Sequence, residues 1–278
     1  MKKTILLLLG TALLVLWILW GNRALMVRQI TVRDPEVPAA FSGFRLAHIS
    51  DLHNTEFGPG NERLLSLLRE SAPDVIVITG DLVDSRRTDI PLAVAFAEQA
   101  VKIAPCYYVT GNHESRIATW PVLEKGLTEA GVHVLRDAGT TLERQGAQIR
   151  ILGVDDPKFD RYESEEEQQS LFRKRLEALP RGEADYTILL SHRPERMDDY
   201  AELGFDLVFS GHAHGGQFRI PFLGGVFVPD QGFFPEYDSG LYEKDDTAMI
   251  VSRGLGNSRF PFRLNNRPEL ILAVLETE

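Results

Sequence analysis

Asp74–Asp84 reads DVIVITGDLVD: five β-branched residues, Val75–Thr79, stop at Gly80 and give way to Asp81 and Asp84. A short continuous run of this kind, bounded by Gly, is the mark of a strand buried on both faces, as in parallel sheets. The same construction recurs outward along the chain. FRLAHIS (Phe44–Ser50) leads into Asp51-Leu52-His53, YYVT (Tyr107–Thr110) into Gly111-Asn112-His113-Glu114, TILLS (Thr187–Ser191) into His192, and DLVFS (Asp206–Ser210) into Gly211-His212-Ala213-His214-Gly215-Gly216. Five strand ends thus present Asp, His or Asn, mostly beside a Gly that permits a tight turn. In an α/β sheet, the carboxyl ends of strands are where ligands bind.

Further apolar runs occur at QIRILGV (Gln148–Val154), AMIVS (Ala248–Ser252) and ELILAVL (Glu269–Leu275), with helical periodicity at Asn61–Ser71, Thr88–Ile103, Trp120–Ala130, Glu163–Leu179 and Pro194–Leu203. Strands alternating with helices predict an α/β protein built largely from βαβ units. The acidic SEEEQQ segment, Ser164–Gln169, reads as the solvated first turn of a helix. Gly204–Arg267 is dense in Gly, Pro and Phe, which predicts long ordered loops with short strands. No fixed-period repeat interrupts the chain.

The 278 residues, 44% of them hydrophobic, carry a formal charge of −10 and a single cysteine, Cys106. That excludes disordered and disulfide-stapled proteins and argues against a duplex-binding protein, whose affinity comes from neutralising phosphates. The N-terminus departs from this ordinary composition. Ile5–Trp20 holds sixteen residues without a charge, between Lys2-Lys3 and Gly21-Asn22-Arg23. As a helix it reaches about 24 Å, slightly under a hydrocarbon core of about 30 Å. Trp17 and Trp20 suit an interfacial belt, and no small-residue cleavage pattern follows, so an uncleaved anchor is expected, with a cleaved signal or a peripheral helix as the alternatives. Residues 1–23 read as the anchor, 24–40 as a linker and lead-in strand, and 41–278 as the main domain. Lys2, Lys3 and the amino terminus face Arg23, Arg28 and Arg33 across the span; the reading leans towards an extracytoplasmic domain at the cell membrane.

Imidazole, carboxylate and amide oxygen together suit Mn, Fe, Zn or Co, and the lack of cysteine there argues against a thiolate zinc site. The donors are too many for one tetrahedral ion but suit two ions sharing a carboxylate. Two dications less the charge of Asp51 and Asp81 leave about +2, a local device for holding phosphate in an acidic protein. Singly, Asp-x-His or Gly-Asp-x-x-Asp is usually only a turn, whereas five such ends in this order are not independent coincidences. His48 and His133 lie inside apolar runs and read as core or surface residues.

The ordered set resembles the calcineurin-like metallophosphoesterase superfamily. Within it, GHAHGGQ (Gly211–Gln217), SRGLG (Ser252–Gly256) and NRPE (Asn266–Glu269) look most like membrane-anchored bacterial phosphoesterases, including UDP-diacylglucosamine pyrophosphatases and related phosphodiesterases. The resemblance implies a four-layer α/β/β/α sandwich. It places Asp51, His53 and His214 on one metal, Asn112, His192 and His212 on a second, and Asp81 between them. His113 matches the non-ligand histidine that protonates or stabilises the leaving group. The implied reaction is in-line attack of a metal-bound hydroxide on a phosphodiester, phosphomonoester or pyrophosphate. Asp84 is followed by Ser85-Arg86, not the Arg-Gly of Ser/Thr protein phosphatases. Arg253, Arg259, Arg263 and Arg267 are candidates for gripping substrate phosphates. Phe218, Phe222, Phe227, Phe233, Phe234, Phe260 and Phe262 form either an apolar rim towards a lipid-linked substrate or a small core beneath the loops. The competing readings are a catalytically silent interaction module on the same fold, which intact ligands disfavour, and a nuclease, which the acidic charge and membrane segment disfavour. Nothing points to an obligate protein partner.

Overall fold

The computed structural model describes residues 2–258 and 260–278. Two six-stranded sheets face one another. The first comprises β1 (Met26–Arg33), β2 (Arg45–Ile49), β3 (Val75–Thr79), β4 (Cys106–Val109), β5 (His133–Val134) and β16 (Glu269–Glu276), ordered β1-β16-β2-β3-β4-β5. The second comprises β6 (Ala138–Arg144), β7 (Ala147–Gly153), β8 (Tyr186–Leu190), β9 (Leu207–Ser210), β14 (Gly240–Lys244) and β15 (Thr247–Val251), ordered β14-β15-β9-β8-β7-β6. Two small hairpins, β10–β11 (Arg219–Ile220 and Gly224–Gly225) and β12–β13 (Phe227–Val228 and Gly232–Phe233), lie in the Gly- and Phe-rich stretch, as its composition predicts.

Side-chain alternation along each strand assigns the layers. Leu46, Val75, Val77 and Val109 point inward and meet Ile149, Ile151, Ile188, Leu190 and Phe209 of the facing sheet. Their neighbours Ala47, Ile49, Ile76, Ile78 and Tyr108 point outward against α2 (Glu62–Ser71), α3 (Ile90–Ala100) and α4 (Trp120–Glu129). On the other side Leu152, Leu189, Val208 and Met249 pack on Phe172 and Leu176 of α5 (Glu165–Ala178) and on Met197 and Tyr200 of α6 (Met197–Glu202). The result is the expected α/β/β/α order. Strands covered on both faces must be apolar at every position, which is why they read as unbroken runs.

The parallel core β2-β3-β4 and β7-β8-β9-β15 matches the βαβ expectation, but β16 runs antiparallel to β2, β6 to β7 and β14 to β15. Strands β6 and β14 carried no apolar signal because they are sheet edges with half-exposed faces. Asp89 caps α3 by accepting the Leu92 N–H, and Ser164 caps α5 by accepting the Glu167 N–H; both helices start two residues inside the expected bounds. The lead-in strand β1 pairs with β16 over eight residues in parallel register.

Ahead of β1, α1 (Lys2–Arg23) is 22 residues long with a mean hydropathy of 2.3 over its most apolar window, and none of that window is buried. At about 1.5 Å per residue it reaches about 33 Å, longer than the uncharged stretch alone, because the polar flanks continue the helix. It is a candidate membrane span.

Candidate metal centre

The loops leaving β2, β3, β4, β8 and β9 meet at one edge of the paired sheets. Four atoms converge most closely: His53 Nε2 and His214 Nε2 lie 3.1 Å apart, His214 Nε2 is 3.3 Å from Asp51 Oδ1, and His53 Nε2 is 3.8 Å from Asp51 Oδ1 and 3.6 Å from Asp81 Oδ2. His192 Nε2 approaches the same Asp81 oxygen, Oδ2, at 3.4 Å. One oxygen of Asp81 thus lies within 3.6 Å of nitrogens from both His53 and His192. All of these side chains are buried.

Three features fit the site to cations. His192 Nε2 and Asn112 Oδ1 are buried without a hydrogen-bond partner, and a buried polar atom left unpaired costs about 1–3 kcal/mol unless something binds it. The His192 ring is oriented by its other nitrogen, Nδ1, which donates to the Thr79 carbonyl at 2.6 Å. Finally, Asp51, His53, Asp81, His212 and His214 all have positive φ, between 47° and 64°. Left-handed backbone at non-glycine residues costs energy and clusters at functional sites. Five of the seven expected ligands share it.

His212 is placed differently from the others. Its backbone N–H donates to the Asp51 carboxylate, and its ring lies 5.0 Å from that of His192, but its Nε2 is engaged by Asp230 Oδ2 at 3.2 Å and Arg193 Nη1 at 3.1 Å. Arg193, itself buried, forks onto Asp156 at 2.6 and 3.1 Å. Nothing in the sequence marks Asp156, Arg193 or Asp230 as partners.

Burial pushes the Asp51 carboxyl up, but the neighbouring His214, His53 and His192 outweigh it and hold it below the usual carboxylate range. Burial likewise pulls the His192 imidazole down, yet Asp81, with Asp51 and Asp156, raises it to about 10. At His214 burial, helped by the neighbouring His53 and Arg263, outweighs the pull of Asp51 and Asp81 and takes the imidazole down to about 3.

His113 sits beside the ligand cluster, 4.0 Å from Asp81 Oδ2. Its Nδ1 accepts the Ser85 backbone N–H at 2.9 Å, so the neutral ring carries its proton on Nε2. That nitrogen faces Ser258 Oγ at 3.2 Å. Burial lowers the His113 imidazole to about 4, so near neutrality it is an N–H donor rather than a cation.

Glu114, quoted in the motif but given no role by the sequence, fastens the loops together. Its Oε2 accepts the Asp81 and Gly111 N–H groups at 2.9 and 2.8 Å, and its Oε1 those of Leu82 and Val83 at 2.8 and 3.3 Å. Burial and the nearby Asp81 push its carboxyl up to about 7 against the pull of these donors. Gly211 is required because a Cβ there would collide with Ser50 Oγ and come within 2.6 Å of Asp51 Oδ2.

A cavity of about 300 Å³ opens onto Asp81, Asn112, His113, His212 and His214. Its cations are Arg116 and Lys158, and Phe227, Pro229 and Phe260 form an apolar side. The arginines expected to grip substrate do other work. Arg263 is buried and gives its N–H groups to the carbonyls of Arg253 and Gly256, to Asn257 Oδ1 and towards His214 Nδ1. Arg267 donates to the Ala24 and Leu25 carbonyls, and the Arg253 guanidinium lies 3.6 Å from Glu269. Irregular backbone leaves carbonyls that no sheet ladder satisfies, and guanidinium forks satisfy them. Arg259 lies outside the described residues. Of the aromatic side chains, Phe222, Phe233, Phe234, Phe260 and Phe262 are exposed. Phe218 packs on Phe260 and Phe262, and Phe227 on Phe233, but none of these phenylalanines is buried, so they form an exposed apolar surface and not a small core. His48 is a core residue bonded to Thr79, and His133 is exposed against Tyr107, as expected of both.

Residues 44–216 match the calcineurin-like phosphoesterase family. The chain belongs to that family. This phosphoesterase is 29% identical to the metallophosphoesterase YkuE of Bacillus subtilis, covering 89% of this chain and 84% of the relative. It is 28% identical to the phosphodiesterase YaeI of Escherichia coli, covering 84% and 82%. A transmembrane protein with a metallophosphoesterase domain from Danio rerio is 29% identical over 99% of this chain and 63% of its own length. Among solved structures, TT1561 of Thermus thermophilus superposes with a TM-score of 0.54 at 15% identity, covering 77% of this chain and 91% of the other, which shows the shared fold. The protein is a metal-dependent phosphoric ester hydrolase of a family that uses a dinuclear metal centre, and the Asp/His clusters described above are able to bind metal.

Proposed function

We propose that this phosphoesterase hydrolyses a phosphodiester or pyrophosphate bond at the membrane surface, with Asp51, His53 and His214 holding one divalent cation, Asn112, His192 and His212 a second, and Asp81 bridging them. The observation that carries this reading is the convergence of these donors around Asp81 with His192 Nε2 and Asn112 Oδ1 left unpartnered. When bound, such cations acidify water and stabilise negative charge on phosphoryl oxygens. The protein contributes the rest. His113 presents Nε2–H to the leaving oxygen, its tautomer fixed by the Ser85 N–H and its position by Glu114 next in sequence. Arg116 and Lys158 attract the anionic ester into the cavity. With His212 Nε2 held by Asp230 and Arg193, its Nδ1 is the nitrogen left to take up a cation, and the outer pair would orient the ring.

The apolar side of the cavity and the exposed aromatic rim beside a candidate membrane span support a substrate with one lipid arm. We place the domain outside the cytoplasm, with Lys2, Lys3 and the amino terminus retained inside. The test is hydrolysis of bis- and mono-p-nitrophenyl phosphate and of a panel of lipid phosphates by the full chain, reconstituted with Mn or Zn in detergent. Turnover of the diester with preference for lipid substrates is expected. Activity confined to monoesters would overturn the ester class, and equal rates on soluble and lipid substrates would overturn the lipid arm.

A further inference from the structure

The topology brings the end of the apolar helix to the catalytic edge. Because β1 runs parallel to β16, the residues before β1 lie next to the residues before β16, and the Met26 N–H donates to the Pro268 carbonyl at 3.0 Å. The stretch before β16 is the one that supplies Ser258 and Phe260 to the cavity and Arg263 to His214. Asn22 sits at this junction. Its Oδ1 accepts the Arg263 backbone N–H at 2.8 Å and Asn257 Nδ2 at 3.0 Å, while its Nδ2 donates to the Arg263 carbonyl at 3.1 Å. One primary amide thus pairs with both backbone groups of one residue, as a neighbouring strand would, which no apolar or charged side chain of this size can do.

We propose that Asn22 is a positioning residue for the phosphoesterase site, so that the membrane helix forms part of the support of the catalytic wall as well as tethering it. This rests on the reading of the site given above. Two routes lead inward from the clamp. Fixing the Arg263 backbone fixes its buried guanidinium, 3.3 Å from Nδ1 of His214. Fixing Asn257 fixes Ser258, which faces His113, and the same stretch holds Phe260 at the cavity wall. Asn257 also bonds the Pro261 carbonyl and the Arg263 guanidinium, so the described residues of this stretch form one hydrogen-bonded unit with Asn22.

The test compares full-length wild type, Asn22→Ala, Asn22→Asp and Thr11→Ala in detergent micelles. Thr11 is an exposed helix residue bonded only to the Leu7 carbonyl and serves as a control for handling of the helix. Asn22→Ala is expected to raise KM for bis-p-nitrophenyl phosphate about tenfold at unchanged metal content, to lower the thermal midpoint by only about 2–10 °C, and to speed amide exchange at Arg263 about tenfold. Asn22→Asp keeps the accepting oxygen but turns a second oxygen onto the Ile18 and Arg263 carbonyls, to which Nδ2 donates at 2.6 and 3.1 Å, so it should be no better than Asn22→Ala, while Thr11→Ala should resemble wild type. Wild-type KM and Arg263 exchange in Asn22→Ala would overturn the proposal, as would a loss of activity that only tracks lost metal or the fraction unfolded at the assay temperature. If wild type itself hydrolyses no phosphoester, the functional reading fails, and Arg263 exchange alone decides whether the clamp exists.

Discussion

Glu114→Ala is the most demanding single test of how the site is assembled. The carboxylate is fully buried and accepts four backbone N–H groups, three of them at 2.8–2.9 Å and the fourth at 3.3 Å. Each buried donor left without a partner costs about 1–3 kcal/mol. Counting only the three short bonds, and allowing water to recover part of the loss in the polar space vacated, the variant should lose about 3–6 kcal/mol. For a domain of this size that is roughly 6–24 °C in thermal midpoint. The sign of the pH dependence selects a strict condition. The folded carboxyl is raised to about 7 from 4.5, so its contribution is full in acid and is lost as pH rises through about 7. At pH 8 the predicted loss is therefore at its smallest, and it should still be measurable. Denaturant unfolding of chelated protein in detergent removes any contribution from bound metal. A loss under about 1 kcal/mol, with metal-dependent turnover intact, would refute the view that Glu114 ties the loops after β3 and β4 together.

The remaining predictions concern the chemistry. His113→Ala should retain its metals by elemental analysis while turnover of a diester falls about 10²–10⁴-fold; wild-type turnover would remove His113 from the leaving-group role. Asp81→Asn should lower metal occupancy, and full occupancy with normal activity would exclude a bridging carboxylate. Burial opposes, but Asp81 and its neighbours outweigh it, so metal-free His192 is held up at about 10 and carries a proton near neutrality. A cation must displace that proton, so apparent affinity should strengthen by up to about tenfold per pH unit below that value, with proton release visible by calorimetry in buffers of different ionisation heat.

What could be read from sequence was whatever the sheets enforce. Residues such as Val75–Ile78 are apolar at every position because helices cover one face and a second sheet the other, and the first polar residue after each run marks where that cover ends. Seven donors and His113 therefore stood out together. Edge strands were invisible for the converse reason: Thr141 and Glu143 of β6 are exposed, so no burial pattern constrains them. The Asp156–Arg193–Asp230 network escaped notice because Arg193 follows a ligand as any surface arginine could, and Asp230 lies in a loop without periodicity. The C-terminal arginines suggested phosphate binding, since a guanidinium suits phosphate and a bent carbonyl-rich backbone equally well, and composition cannot say which one is present.

The left-handed ligands belong to loops that are tied to one another. Beyond the strands, pairing continues: the Asp51 N–H donates to the Gly80 carbonyl, that of His53 to Asp81, and that of Asn54 to Leu82, at 3.0–3.1 Å. The loops after β2 and β3 thus remain laddered while Asp51, His53 and Asp81 carry positive φ. Such residues cost about 1–3 kcal/mol each and persist only where surrounding structure over-determines them. Here that structure is the inter-loop ladder, the four N–H groups gathered by Glu114 and the glycines at 80, 111 and 211, where a Cβ would strike backbone, Asp81 or Ser50. The strain is thereby met by contacts within the fold, and the same contacts fix where the donor side chains stand.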